Sequence, residues 1–417
     1  MYYYLDVFIK LVKYFYILFI FLFLYIFNII SFKHIILCYI LYCVYVQYFS
    51  KTKIYYTKSK ENEKILWNCP NILNPNFKPH FFFPFAFQQS FICASKYIIQ
   101  KISKTPQKEF LYREEKVNDY GCRLFWPYFS DEIEINDNKT PILLILPGMT
   151  GTINDPVVRN CSIEGLKKGY HVCVYQMRII SEDFSVDETQ SFRHKEDINL
   201  ALDTIRSNKN YGKAKIFAIG YSYGANNLLY YLGDMHFKLD KNNKKIVAGV
   251  SISNPFDMKL CQRLCEYNVI SCLVSFLERR NSRKIRKSLE NCKNIKGMNF
   301  EELINCYSVK KFDEIFSAKF YGNKSADDYY RNISCCERME NIDIPVLCIN
   351  SYDDPMTPKD AIAYDEVKIN PNIILIVTDR GSHMSFVSNE KLNEFRQWHF
   401  KPTFEFFNII DNIDNIK

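Results

Sequence analysis

The sequence KIFAIGYSYGANNLLYYLG, from Lys215 to Gly233, contains the pattern most typical of a particular fold. Its first six residues form an apolar run that predicts a buried strand, and its last nine predict a helix. Between them stands G-x-S-x-G, with Ser222 at the centre and Gly220 and Gly224 on either side. This pattern predicts a sharp turn that exposes the serine hydroxyl, where glycines avoid a clash. An ordinary glycine turn between a strand and a helix is the alternative.

Alternating strands and helices surround this motif. A helix is predicted over Asp197–Arg206 and a hairpin over Glu109–Phe129. Such alternation predicts an α/β fold, a mostly parallel sheet flanked by helices. Short apolar runs predict further strands at Pro141–Leu146, Tyr170–Tyr175, Ile246–Ile252, Ile344–Asn350 and Ile373–Val377.

Composition excludes several classes of protein. The chain has 417 residues, 48% hydrophobic and 24% charged, with 64 Tyr and Phe residues together, which argues against disorder. Thirteen glycines and fifteen prolines exclude a collagen-like chain. The net charge of +8 is mild, and no block resembles a nucleic-acid footprint, so we expect no nucleic-acid partner.

The N-terminal region is strongly apolar. Tyr14–Phe32 is 19 residues without a charge, enough for a helix of about 28 Å, close to the thickness of a bilayer core. Ile35–Ser50 is also uncharged, which leaves one long or broken span, or a hairpin turning at Lys33-His34. A cleavable signal peptide is the alternative, but the run is long and no small-residue cleavage site follows. More lysines follow these runs than precede them, which favours a membrane protein with a cytosol-facing body.

We therefore expect four regions. Residues 1–53 form a membrane anchor, 54–105 an irregular arm, 106–400 the α/β domain and 401–417 a C-terminal tail. About residues 258–340 lack a clear strand, and we expect them to form a helical cap. The cap contains a basic run that reads as a solvated helix face or, alternatively, as a contact for anionic lipid headgroups. That run comprises Arg279, Arg280, Arg283, Lys284, Arg286 and Lys287.

A serine nucleophile needs a base and a carboxylate that orients the base. The expected chain order is serine, then acid, then histidine. His383 follows the last predicted strand directly, whereas His399 lies in a predicted helix and His236 is close to the serine helix. His383 is therefore the predicted base.

The acid is expected in the loop after the strand Ile344–Asn350. Asp353 and Asp354 are adjacent and cannot both point at the histidine. Spacing to Pro358 favours Asp354, with Asp353 bracing the loop, and Asp257 is a weaker alternative.

Backbone N–H groups must stabilise the negative charge that develops on the attacked carbonyl. The predicted donors are Tyr223, just after the serine, and Met149, in the loop that follows Pro141–Leu146. Gly148 would allow close approach of substrate. This loop lacks the glycine and lysine pattern of a phosphate-binding loop. No zinc-protease or redox motif occurs, so we expect neither a metal nor a cofactor.

Several stretches in order resemble one branch of the α/β-hydrolases, AB hydrolase family 4, the membrane-anchored α/β-hydrolase domain-containing proteins 1, 2 and 3 and their bacterial and yeast relatives. The stretches are PILLILPGMTGTINDPVVRN (141–160), GYSYGANNLLYYLG (220–233), ISNPFDM (252–258), KKFDEIFSAKFYGNKSADDYYRN (310–332), IPVLCINSYDDPMTP (344–358) and DRGSHMSF (379–386). The resemblance covers about residues 70–390. Tyr223 departs from the usual Met, Leu or Phe, and the apolar N-terminus exceeds the single span typical of the family.

The resemblance implies an α/β-hydrolase fold, and Ser222, Asp354 and His383 match the family triad. It also implies a membrane esterase or lipase acting on acylglycerols, phospholipids or medium-chain ethyl esters. The predicted function is a membrane-anchored serine hydrolase cleaving an acyl ester of a lipid. Two alternatives stay open, a serine peptidase or amidase on the same fold, and a non-catalytic membrane scaffold.

Overall fold

The computed structural model describes residues 32–93, 110–129, 137–181, 194–240, 245–266, 298–388 and 397–412, together with 275, 278–283, 286 and 289. Its centre is a nine-stranded sheet in the order β1-β9-β8-β7-β6-β4-β5-β3-β2. The strands are β1 (Thr52–Tyr56), β2 (Phe110–Lys116), β3 (Arg123–Phe129), β4 (Ile142–Leu146), β5 (His171–Gln176), β6 (Ile216–Tyr221), β7 (Ala248–Ile252), β8 (Val346–Ser351) and β9 (Ile373–Thr378).

The middle of the sheet is parallel and its edges are antiparallel. Strands β4 to β9 pair in parallel. β2 and β3 form the predicted hairpin, and β3 joins β5 in antiparallel pairing. Parallel central strands end at the same edge, so the loops after β4, β6, β7, β8 and β9 gather on one side of the molecule.

Helices cover both faces of the sheet, because successive side chains of a buried strand point to opposite faces. On one face, Leu144 and Ala218 pack under the helices that contain Leu202 and Leu229. On the other face lie helices Pro156–Lys167 and Phe400–Asp411. The remaining helices are Phe32–Phe49, Lys60–Asn68, Pro70–Leu73, His194–Ser207, Tyr223–Asp234, Met258–Cys265, Phe300–Asn305, Val309–Ile315, Ser317–Phe320, Ala326–Ile333 and Tyr364–Ile369, with 3₁₀ turns at Arg178–Ile180, His236–Lys238, Cys336–Asn341 and Lys359–Ala361.

Two regions are more ordered than the sequence led us to expect. The expected arm is not irregular throughout, because helices Lys60–Asn68 and Pro70–Leu73 pack on the C-terminal helix. Strand β1 begins at the end of the expected anchor and pairs with β9. The expected tail is mostly helix Phe400–Asp411, whose Phe406 and Phe407 are fully buried in the core. Burial of these two rings holds the helix against the core of the domain.

The N-terminal helix, Phe32–Phe49, lies against the body. Gln47 Nε2 donates to the Pro79 carbonyl oxygen at 2.7 Å, and the Tyr42 ring stacks on Phe85 with centroids 4.8 Å apart. Of the predicted apolar run Tyr14–Phe32, residues 14–31 lie outside the described residues. None of the helices in the described part of the chain could cross a bilayer, since each is too short or too polar for a span.

The described residues between β7 and β8 form mostly helices, which lie above the carboxyl edge of the sheet and are called the cap below. Its own small core includes Leu303, Phe316 and Phe320. The described arginines of the basic run lie on the cap itself: Arg283 donates to the Ile304 carbonyl oxygen at 3.1 Å, and the Arg286 guanidinium lies 4.4 Å from the centroid of the Phe300 ring.

Candidate active site

Ser222 occupies the sharp turn between β6 and helix Tyr223–Asp234. Its φ of 52° and ψ of −119° are strained for a residue with a side chain, and its N–H donates to the Ile252 carbonyl oxygen at 2.9 Å. A Cβ on Gly224 would lie 2.2 Å from the carbonyl oxygens of Leu146 and Pro147. A glycine is therefore required for the helix to approach β4 this closely.

The structure brings the three side chains named from the sequence into one line of hydrogen bonds. His383 Nε2 lies 2.8 Å from Ser222 Oγ. On the other side of the ring, His383 Nδ1 lies 2.8 Å from Asp354 Oδ2 and 3.0 Å from Asp354 Oδ1. The Asp354 side chain is fully buried, and that of His383 is 13% exposed. This is the geometry in which a base takes a serine proton while a carboxylate holds the imidazole in position.

The loop after β8 holds Asp354 rigidly. Its Oδ1 accepts the backbone N–H groups of Met356 at 2.8 Å and Thr357 at 3.0 Å. Asp257, the weaker alternative acid, instead caps helix Met258–Cys265 by accepting the Leu260 N–H at 2.8 Å.

The loop that carries His383 is strained and braced. Ser382 and Met384, its neighbours, have φ values of 60° and 65°. Asp353 Oδ1 accepts the Ser382 N–H at 2.9 Å, and burial raises the pKa of Asp353 to about 6. The Met384 N–H donates to Ser253 Oγ at 2.9 Å. Sequence reasoning missed Ser253, although its position directly after β7 was an available signal.

The other two histidines that follow Ser222 in the chain, His399 and His236, lie outside the hydrogen-bonded line of Ser222, His383 and Asp354. His399 Nε2 lies 3.0 Å from the Tyr221 hydroxyl oxygen, and burial lowers the pKa of His399 to about 3. His236 Nε2 accepts the Ile246 N–H at 3.2 Å. Both rings are buried in the core, where His236 accepts from a backbone N–H and His399 pairs with a tyrosine hydroxyl.

The residues predicted to supply the oxyanion donors flank Ser222. A Cβ on Gly148 would lie 3.5 Å from Ser222 Cβ, so the loop after β4 approaches the serine closely. Met149 and Tyr223 both line the cavity beside the serine. Tyr223 is the first residue of its helix, where backbone N–H groups lack partners within the helix.

Comparison with known proteins identifies relatives of this chain, although no family model matches it. It is 27% identical over 270 residues to phospholipase ABHD3 of Homo sapiens, covering 60% of this chain and 62% of that protein. It is 26% identical over 322 residues to monoacylglycerol lipase of Saccharomyces cerevisiae, covering 75% and 69% respectively. An abhydrolase domain-containing protein of Dictyostelium discoideum is 25% identical over 387 residues, covering 86% and 93%.

The chain belongs to the α/β-hydrolase superfamily. It spans between 58% and 65% of the length of four relatives, among them the ABHD3 proteins of three mammals. Among solved structures, the esterase Pf2001 of Pyrococcus furiosus has a TM-score of 0.44 at 19% identity, covering 74% of this chain and 92% of that one.

In this α/β-hydrolase, Ser222 and His383 open on a cavity of about 140 Å³ beneath the cap. Its walls are mostly apolar and include Met177, Ile179 and Phe316. The Tyr223 hydroxyl lies 3.2 Å from that of Tyr329, which ties the serine helix to the cap.

His194 also lines the cavity, and its ring is buried. Its Nε2 lies 2.7 Å from the Tyr321 hydroxyl oxygen. Burial and the nearby Arg178 lower the pKa of His194 to about 3. His383 is therefore the histidine of this cavity that is in contact with the serine hydroxyl.

Proposed function

We propose that the protein is a serine hydrolase that cleaves acyl esters of lipids at a membrane surface. The observation that carries the proposal is the line from Ser222 Oγ through His383 to buried Asp354, opening on an apolar cavity. Apolar walls suit a hydrocarbon chain, since each buried CH₂ group contributes about 0.8 kcal/mol.

In the proposed reaction, Ser222 Oγ attacks the ester carbonyl while His383 Nε2 takes the hydroxyl proton. Asp354 accepts the Nδ1–H of the ring and stabilises the imidazolium that forms. The backbone N–H groups of Tyr223 and Met149 donate to the oxyanion. His383 then gives its proton to the leaving alcohol, and an acyl group remains on the serine.

Water completes the cycle. His383 takes a proton from the attacking water, the acyl–oxygen bond to Ser222 breaks, and the fatty acid leaves as the serine regains its proton. All proton transfers use groups of this chain and water, so the proposed reaction needs no added cofactor.

The relatives support lipid esters as the substrate class. Two of them are named a phospholipase and a monoacylglycerol lipase, and a third, from Saccharomyces cerevisiae, a medium-chain fatty acid ethyl ester synthase/esterase. The lipids in these names, phospholipids, monoacylglycerols and fatty acid ethyl esters, share a carboxylic ester of a fatty acyl chain. We therefore propose fatty acyl esters as the substrate class, and the shape of the cavity would determine which alcohol is accepted.

Exposed apolar side chains support membrane association with the body on the cytosolic side. The N-terminal helix exposes Leu37, Leu41 and Tyr48 at 52%, 58% and 79%, and Phe87 in the neighbouring segment is 75% exposed. Exposed apolar side chains of this kind suit the boundary between headgroups and acyl chains. This helix lies within the proposed anchor, residues 1–53, and the lysines after Ser50 suit the cytosolic face.

A fluorophosphonate probe tests the chemistry, because it reacts with activated serines. We expect the full-length protein to be labelled and Ser222→Ala to be unlabelled, with matching thermal unfolding to show an intact fold. An unlabelled wild-type protein would contradict the proposed function. Labelling that survives Ser222→Ala would contradict the assignment of the nucleophile.

Vesicle flotation tests the membrane contact. Leu41→Glu places a charge on the exposed face of the N-terminal helix, and we expect less protein to float with anionic vesicles. Leu200→Glu is the matched control, since Leu200 is 40% exposed on a helix of the body. Equal loss in both variants would contradict the proposed membrane face.

A further inference from the structure

Two buried carboxyl groups line the part of the cavity that the cap encloses. Glu278 lies in the helical stretch 278–283, and Asp313 lies in helix Val309–Ile315. Each residue is only 5% exposed, and both border the cavity shared with Ser222 and His383. The proposed reaction uses neither of them. Acidic side chains are almost never buried this deeply without a partner, so the pair requires an explanation.

Asp313 has its partners within the protein. Its Oδ1 accepts from the Ser317 hydroxyl, and its Oδ2 accepts from the Tyr330 hydroxyl at 2.6 Å. Burial raises the pKa of Asp313 to about 6 although both hydrogen bonds favour the charged form. Both oxygens of this carboxyl group therefore lie in the cavity wall with hydrogen-bond donors that favour its charged form.

Glu278 is different, because part of its carboxyl group is unsatisfied. Its Oε2 is buried and has no hydrogen-bond partner in the described part of the chain. Burial, with the nearby charge of Asp313, raises the pKa of Glu278 well above its usual range. A buried polar atom without a partner costs free energy, which a ligand recovers by forming the missing hydrogen bond.

The surroundings select the kind of ligand. Within the described cavity lining, acidic residues are present and neither Lys nor Arg is. An anionic group would therefore meet like charge in a site of low dielectric constant, which is unfavourable. A hydroxyl or an ammonium group can donate to carboxyl oxygens, and the aromatic rings of Phe316 and Tyr321 on the wall also favour a cation.

We propose that Glu278 and Asp313 form a subsite that binds a hydrogen-bond donor on the substrate, a hydroxyl or an ammonium group. The inference rests on the proposed function, since the ester must lie at Ser222 while the donor reaches the cap. It narrows the substrate class to lipid esters that carry a polar donor group, in preference to those that end in plain hydrocarbon.

Matched p-nitrophenyl esters over a range of chain lengths test the subsite in the full-length protein. The acyl chains end in methyl, hydroxyl, ammonium or carboxylate groups, and a second series carries the same groups on the alcohol. At the best chain length we expect kcat/KM for a donor-ended ester to exceed that for its methyl analogue by about tenfold. The carboxylate-ended ester should be the poorest substrate.

Two variants separate hydroxyl from ammonium recognition. An ammonium group bound beside Glu278 would favour its carboxylate form, which Glu278→Gln cannot adopt although it keeps hydrogen-bonding atoms. A preference for hydroxyl should therefore persist, and one for ammonium should fall about tenfold. Glu278→Leu should reverse either preference in favour of methyl. Glu301→Gln is the control, because Glu301 is exposed on cap helix Phe300–Asn305 and should leave the ratio unchanged. Thermal unfolding of each variant shows whether it folds.

The outcomes distinguish this inference from the proposed function. If the wild-type protein hydrolyses the methyl-ended ester and donor-ended esters equally well in both series, the subsite is refuted and the hydrolase proposal stands. Variants that alter all esters in proportion would show a structural role and also refute it. If no ester is hydrolysed and no fluorophosphonate label forms, the proposed function fails and the inference fails with it.

Discussion

Replacing Asp354 by Asn separates the roles of its two oxygens. In Asp354→Asn the amide oxygen can keep the Oδ1 position, where it accepts the backbone N–H groups of Met356 and Thr357. The amide NH₂ then takes the Oδ2 position, 2.8 Å from His383 Nδ1. An NH₂ group can only donate there, so Nδ1 must accept and the ring proton moves to Nε2. A protonated Nε2 cannot take the proton from Ser222.

The expected loss follows from this change of tautomer. Loss of the base function at an otherwise intact site lowers kcat by about 10⁴-fold, equivalent to about 5.4 kcal/mol of transition-state stabilisation. Binding should change much less, because the ester does not contact Asp354 directly. The fold should persist, since both backbone contacts of the loop are retained.

The assay is hydrolysis of a medium-chain p-nitrophenyl ester together with the rate of fluorophosphonate labelling. Asp353→Asn is the matched control, since its amide oxygen can still accept the Ser382 N–H that Asp353 accepts at 2.9 Å. We expect a loss of about tenfold or less in the control. The reasoning is refuted if Asp354→Asn stays within tenfold of wild type, or if Asp353→Asn is the more damaging change.

Two further predictions concern stability. Gly224→Ala should lower the free energy of unfolding by about 3 kcal/mol, because the new Cβ would lie 2.2 Å from two backbone carbonyl oxygens. Gly249→Ala is the control and should cost less, because its new Cβ would meet only the movable Leu232 Cδ1, at 3.2 Å. Equal losses in urea titrations would be inconsistent with this reasoning. Burial raises the pKa of Asp353 to about 6, above the value of about 3.9 in an unfolded chain. The folded state therefore binds this proton more tightly than the unfolded state does. The contribution of Asp353 to stability consequently falls as the pH rises from about 4 to about 6. Asp353→Asn removes that contribution, so thermal unfolding should show the stability of the wild type relative to this variant declining over the same pH interval, and a flat difference would contradict the assignment.

The sequence predicted the central fold well because buried parallel strands are short apolar runs. The runs at Pro141–Leu146 and Ile373–Val377 correspond to β4 and β9 within one residue at each end. Chain order, position after strands and, for Asp354, the spacing to Pro358 also selected the three residues that the structure brings together. Their catalytic roles stay predictions until the serine is tested chemically.

Long-range packing was the part that local patterns could not reveal. Thr52–Tyr56 is too short and too mixed to stand out as a strand, and it is fixed by pairing with β9, more than 300 residues away. The carboxyl pair of Glu278 and Asp313 is another example. Glu278 belongs to no motif, and Asp313 lies in the stretch 310–332 without any sign there of a role at the site. Only the folding of the cap brings both residues to the same cavity.

The same kind of contact joins the N-terminal region to the loop that carries His383. Lys51 and Asp379 exchange two hydrogen bonds, at 2.8 Å from the Lys51 N–H to the Asp379 side chain and at 2.9 Å from the Asp379 N–H to the Lys51 carbonyl oxygen. Arg380 donates to the Tyr42 hydroxyl at 3.1 Å. The helix that exposes the proposed membrane face therefore contacts the loop that positions His383.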